Sequence, residues 1–356
     1  MRLVWADVVA VESERDGVQR LRVALDDGTN GTALLYTSLC GACAADDRVL
    51  LNTTAVDMSL GTGGLHFVVA SAGSGVVFDQ PSGGHVMKAR YTPVQRDVCA
   101  VEEASSPHAA IMADAAALGG MPVVCCGLHS QVLPVAAAIK ARRPGLRVVY
   151  VMTDGASLPL AFSDLVPAMR VAGLLDKTIT AGQAFGGELE AVTLHSALLA
   201  ARHVAHADVA IVALGPGITG TATPFGHGGV AQGEAINAVA ALGGTPVAVL
   251  RLSFTDTRAR HFGLSHHSAV ALGTVALARA IVPVPALPHP QAREIDRALE
   301  SLRIWNRHTR KDVAASGLPV TRGIAMRSMG RTPETDPAFF LAASAAGSVA
   351  ADVCPR

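Results

Sequence analysis

Asp208-Val-Ala-Ile-Val-Ala-Leu214, running into Gly215-Pro-Gly-Ile-Thr-Gly-Thr221, is the stretch that decides the fold. An unbroken apolar run closed by a turn is the signature of a strand buried on both faces, the usual state in a helix-covered parallel sheet. The pattern recurs at 122–126, 146–152, 178–181, 246–252 and 280–284. Stretches of helical period lie between the runs, at 132–142, 164–172, 193–207, 230–242, 268–279 and 291–302. Within 193–207, Leu194, Ala197, Leu198, Ala201 and Ala205 make one apolar face. Strands alternating with such helices predict an α/β fold, a mostly parallel sheet covered by helices on both faces.

Upstream the rhythm is different. Residues 4–11, 19–25, 31–37, 49–52 and 65–70 read as short β-strands, with Asp26-Asp27-Gly28 as a turn. Five such strands predict a small all-β barrel-like domain. The Gly/Ser-rich segments 71–75 and 82–84 put the boundary near residue 80, giving a barrel over 1–80 and an α/β domain over 81–356. The tail is irregular from Trp305 until Asp336-Pro337 opens an alanine-rich helix.

Composition removes several functions. Half of the 356 residues are hydrophobic, enough for a large core. The formal net charge is zero and aromatics make up 4%, so neither a phosphate-binding basic stripe nor a base-stacking platform is available, and no nucleic-acid partner is expected. The uncharged stretches 115–139 and 209–233 are broken by glycines, prolines and polar residues. A membrane helix needs about 20 continuous apolar residues, so no membrane partner is expected either. Met1 to Asp7 lacks a signal-peptide run, and six dispersed cysteines suit a reducing cytoplasm, the expected location. Cys40-Gly-Ala-Cys43 has metal or redox spacing but no second pair.

In open parallel sheets ligands bind beyond the carboxyl ends of the strands. The segments there are Gly127-Leu-His129-Ser130, Thr153-Asp154-Gly155, Gly182-Gln183, Gly215 to Thr221 and Ser253 to Arg258, all polar or glycine-rich. The spacing of Gly215, Gly217 and Gly220 matches GxGxxG. However, the loop continues through Pro224 to Gly229, and the next strand closes on Arg251 where a ribose-binding acid would stand. NAD is therefore not the expected cofactor. A backbone cradle for a phosphate or carboxylate, capped by Thr219 or Thr221, is.

The densest polar stretch is Asp256-Thr-Arg258-Ala-Arg260-His261-Phe-Gly-Leu-Ser265-His266-His267. His261 and His267, with His266 and Asp256, have the chemistry to ligate a divalent metal. Arg258 is suited to clamp an anion, and His266 to move a proton. The plainer account is that Ser265 caps a helix and one histidine bonds inside the core. His129 and Asp154, ending neighbouring strands, form a candidate acid/base pair, or else a satisfied histidine and a turn cap. Lys88, Arg90 and Tyr91 are a basic patch that would close over an anionic ligand, or a solvated strand.

Together these segments, with Gly84-His-Val-Met-Lys88-Ala-Arg90-Tyr-Thr-Pro93, Thr180 to Gly187 and Ser328-Met-Gly-Arg331, resemble an uncharacterised bacterial family known only as domain of unknown function 3866. That resemblance implies no activity and transfers no catalytic residue. The residues themselves lead to the expectation of an enzyme, a hydrolase or transferase, acting on a small anionic or phosphorylated metabolite. The alternative is a non-catalytic sensor or scaffold whose barrel contacts a partner. A third reading, homo-oligomerisation with a purely structural role, leaves the polar loops unexplained.

Overall fold

The computed structural model describes residues 1–59, 63–72, 82–315 and 317–355. Two compact units divide between Asp97 and Val98, and the boundary expected near residue 80 lies outside the described residues.

In the first unit, β1 (Leu3–Arg15), β2 (Val18–Leu25), β3 (Asn30–Tyr36), β4 (Arg48–Asn52) and β5 (Leu65–Ser71) close a barrel in the order β1-β2-β3-β5-β4. Alternate residues fill it: Ala6 and Val8, Leu21, Val23 and Leu25, Ala33 and Leu35, Val49 and Leu51. The 13-residue β1 pairs with β4 over Leu3–Asp7 and with β2 from Ala6 to Arg15, and two register shifts, at Val8/Ala10 and Val11/Ser13, bend its second half. Cys40 and Cys43 sit in this core, where burial pushes the Cys40 thiol up to about 11. They pack as small hydrophobes, against the metal or redox reading of their spacing. A two-stranded sheet, β6 (Val86–Lys88) with β7 (Arg96–Val98), follows.

The second unit contains the expected sheet. Its strands are β8 (Pro122–Cys125), β9 (Val148–Thr153), β10 (Lys177–Ala181), β11 (Leu189–Ala191), β12 (Val209–Leu214) and β13 (Thr245–Ala248), then, beyond a short antiparallel pair β14 (Leu252–Ser253) and β15 (Gly263–Leu264), β16 (Ile281–Pro285) and β17 (Thr309–Val313). The order is β11-β10-β9-β12-β8-β13-β16-β17, and every pair is parallel. One face packs on the helices Val132–Arg142 and Leu165–Val171 and most of Pro337–Val353; the other packs on Leu194–His203, Ala231–Ala241 and Gln291–Ser301. No helix among the described residues is long and apolar enough to cross a membrane.

Three elements differ from expectation. β11 has only three residues, and β17 reads Thr-Arg-Lys-Asp-Val, a polar edge strand without the alternation that marks a half-buried one. The helix expected over 268–279 begins at His266, widens into a π-turn at Ala271–Val275 and ends there. Gly233 of the neighbouring helix packs so closely that a Cβ on it would lie 2.8 Å from the Ala271 carbonyl.

Gly347 is equally constrained, since a Cβ there would run into the Val135 carbonyl and stand 2.9 Å from the Ala138 Cβ. Alanine normally gains about 1 kcal/mol over glycine inside a helix. Overpacking a backbone contact costs about 1–3 kcal/mol, so Gly347→Ala should lower stability by up to about 2 kcal/mol in urea unfolding. A stabilised variant would mean the two helices can move apart.

The helix after β8 lies on one face, whereas those after its neighbours β12 and β13 lie on the other. Connections that leave adjacent strands in opposite directions open a crevice at their carboxyl ends. Two buried glutamines span it. Gln232 Nε2 donates to the carbonyls of Cys125 (2.8 Å) and Val249 (2.7 Å), and Gln131 Nε2 donates to that of Leu250 (3.3 Å). Side-chain amides thus replace ladder hydrogen bonds where β8 and β13 part.

Candidate functional site

The loop from β12 forms one wall of the crevice. Gly215 is required because a Cβ would strike the Ser157 carbonyl, whose own amide donates to Pro216 O at 3.0 Å. The chain then folds back on itself: Thr221 N donates to Gly226 O (2.8 Å) and Gly228 N to Thr219 O (2.9 Å). The loop expected as an open cradle therefore spends two of its amides internally. Gly217, Gly220 and Thr221 stand on its exposed rim. At its base is His227, 5% exposed.

The segment after β13 supplies the second wall. Ser265 caps the helix that starts at His266, its Oγ accepting from His267 N at 3.3 Å, in line with the plainer account of this stretch. That capped turn brings His261, His266 and His267 against His227. The His227 and His267 rings stack with centroids 3.8 Å apart and planes within 6°, and His266 meets both edge-on at 4.9 and 4.5 Å. Gly229 permits the stack, because a Cβ there would lie 3.0 Å from Nδ1 of both rings.

Burial holds all four imidazoles below their ordinary range. His267 falls to about 2 and His261 to about 3, with the Arg251 charge as the next cause in each; His266 and His227 are lowered as well. The rings are therefore neutral, and their neighbours fix the tautomers. His266 Nδ1 donates to Arg260 O (3.2 Å), leaving an unprotonated Nε2 that meets no partner. Arg251 Nη1 donates to His267 Nδ1 (2.9 Å), and His267 Nε2 is likewise unpartnered. Both nitrogens of His227 lack a hydrogen bond. His261 Nδ1 is paired with Ser265 Oγ at 2.7 Å. Among the described residues, His227, His266 and His267 form the group whose ligand atoms all lie within 4.8 Å of one another. Of the two expected metal ligands, His267 belongs to this group and His261 does not.

Beside the histidines is a network of guanidinium and carboxylate groups. Asp256, its side chain 2% exposed, accepts from Arg258 Nε (2.9 Å) and Nη2 (2.8 Å) and from Arg331 Nη2 (3.1 Å). The Arg258 hydrogen bonds hold its carboxyl well below the usual range. Arg258, expected as an anion clamp, thus has its fork filled by Asp256. Asp336 accepts from Ser253 Oγ at 2.6 Å and lies 3.2 Å from Arg331 Nε, within ion-pair range though outside hydrogen-bond geometry. Arg251 differs from both. It is 4% exposed, its guanidinium contacts His267 Nδ1 and the Met329 sulfur, and among the described residues no carboxylate comes within ion-pair reach.

The other expected residues lie elsewhere. His129 pairs its Nδ1 with Tyr150 Oη (3.0 Å) and its Nε2 with Ser163 Oγ (2.8 Å), and burial pushes the ring down to about 4. Its neighbour Ser130 reaches Ser328 Oγ at 3.0 Å. Asp154 accepts from the Gln183 amide at 2.9 Å, packed over Gly182. Among the described residues no hydrogen bond or ring contact joins His129 or Asp154 to His266. Lys88, buried on β6, and Arg90, in the turn after it, belong to the first unit.

The sequence pattern assigned no site role to His227 or Arg251, and Arg331 and Asp336 stood out only within segments that carry the family resemblance. Arg251 alone left a clear signal, as a lone charge inside the apolar run 246–252. No curated protein and no solved structure matches the chain. A family model described as a protein of unknown function, DUF3866, matches residues 32–347, from the third barrel strand into the last helix, and the chain belongs to that family.

Proposed function

We propose that the protein is an enzyme, a hydrolase or transferase, acting on a small anionic metabolite in the crevice between the loops of β12 and β13. One observation carries this reading: Arg251 is a buried guanidinium without a carboxylate partner, beside the cluster of neutral imidazoles. Burying a charge without a counter-ion costs several kcal/mol, a cost that a bound anion offsets. Phosphates and carboxylates suit the planar fork of arginine. Asp256 and Asp336 fix Arg258 and Arg331 beside it, four arginines in all with Arg260, against two carboxylates. The unprotonated Nε2 of His266 is the Lewis base of the site, able to take up a proton or a cation.

The test is a thermal-shift series with inorganic phosphate, pyrophosphate and mononucleotides. At a hundredfold excess over Kd a ligand stabilises by about 2.7 kcal/mol. At least one of these anions should raise the melting temperature of wild type, and Arg251→Gln should abolish the rise while Arg170→Gln, in a distant ion pair with Glu188, retains it. An equal rise in all three proteins would place the anion elsewhere.

A further inference from the structure

We propose that His227, His266 and His267 hold one divalent transition-metal ion at the base of this crevice, with Arg251 freed from His267 to meet the anion. The inference rests on the anion reading above and names the ion that would act with it.

His227 is 5% exposed, and both of its ring nitrogens are buried polar atoms that meet no partner, a state rare in a folded protein. The third ring is prepared in the manner of a metal ligand. His266 directs Nδ1–H to a backbone carbonyl and keeps Nε2 bare, the orienting hydrogen bond that ligating histidines usually make. An all-imidazole set selects zinc, cobalt, nickel or copper over magnesium or calcium, which need oxygen ligands. Three protein nitrogens leave a coordination position for water or for an oxygen of the substrate.

Two adjustments follow from the geometry. A metal must lie in the plane of each ring that binds it, so the parallel stack of His227 on His267 opens by rotation about the side-chain torsions. The neutral His267 ring has one lone pair, on the Nδ1 that accepts from Arg251. A cation taking that position releases the guanidinium, which then has the bound anion as its partner. Metal and anion therefore bind with positive coupling.

Purified protein is stripped with chelator and titrated with Co²⁺, whose visible absorption reports coordination by nitrogen ligands. Wild type should take up one equivalent. His227→Ala and His267→Ala should each weaken uptake about 100-fold, at the upper end of what even the loss of an orienting partner costs. His261→Ala should change it less than about threefold. Melting temperatures without metal establish that each variant is folded, and His227→Gln replaces any that is not. Absence of Co²⁺ uptake by wild type, or an equal loss in His261→Ala, overturns the proposal. Phosphate stabilisation measured with and without Co²⁺ separates the two readings. If Arg251-dependent stabilisation survives where no Co²⁺ binds, the metal fails and the anion site stands. Co²⁺ bound to the three histidines with no phosphate effect supports the metal and refutes the anion.

Discussion

Asp256→Ala is expected to lower the stability of the protein by about 3 kcal/mol at neutral pH and to abolish anion-dependent stabilisation. The carboxylate is buried and accepts four hydrogen bonds, from Arg258 N (3.1 Å), Nε and Nη2 and from Arg331 Nη2. Removing it leaves Arg251, Arg258, Arg260 and Arg331 with Asp336 as the one carboxylate of the network, and the buried Arg251 is already lowered to about 10 by burial and then by the Arg258 charge. Breaking a buried ion pair costs about 3–5 kcal/mol. The lower end applies because Arg258 is 42% exposed and can turn to water. In the double variant Asp256→Ala/Arg258→Ala part of the loss should return, since one of the uncompensated charges goes too. Urea unfolding of the four proteins measures both effects. A loss below about 1 kcal/mol for the single variant would show that the network contributes no net stability.

The second large effect is acid lability in a defined window. His129 is lowered from 6.5 to about 4, and His308 is lowered as well, both chiefly by burial. Each stays neutral in the fold while the unfolded chain takes up a proton below 6.5, so the unfolded state binds more protons there. The stability that these rings contribute is complete above pH 6.5 and is lost as pH falls through 6.5 toward 4. Each tenfold drop in proton affinity on folding corresponds to about 1.4 kcal/mol, so His129 alone accounts for a loss on the order of 3 kcal/mol. Asp256 acts in a separate window, because a depressed carboxylate contributes above its unfolded value of 3.8 and loses that contribution only as pH falls below it. In His129→Asn the slope of stability against pH between 6.5 and 4 should fall by about one proton. An unchanged slope would mean that His129 ionises in the fold as it does in the unfolded chain.

The parts of the molecule that were legible in the sequence are those where one period dominates. Alternation over 19–25 and short β-rich stretches such as 31–37 pointed to the barrel, and apolar runs to six of the eight strands of the large sheet, because burial on one face or on two leaves different patterns. β17 was illegible because an edge strand keeps its charges in water. Within the site, the stretch from Asp256 to His267 stood out because its groups are local. His227 did not, since a single histidine in a glycine-rich loop gains meaning only when the sheet carries it to His267. Arg331 and Asp336 arrive on a return of the tail that has no periodic signal. His129 and Asp154 were singled out because both follow strands, but strand order separates their partners: His129 turns to Tyr150 and Ser163, and Asp154 to the Gln183 amide.

The position of β12 has a consequence for how the second unit assembles. β8 and β9 are consecutive in the chain, yet β12 lies between them and pairs with both. Until residues 209–214 are in place, β9, β10 and β11 on one side have no link to β8 on the other. The strand that joins the two halves also carries His227 at the end of its loop. A chain truncated before Val209 should therefore hold β9, β10 and β11 together and leave β8 without a strand partner. Anything that binds at His227 in the complete chain would brace that seam, so ligand affinity and the cooperativity of unfolding should rise and fall together.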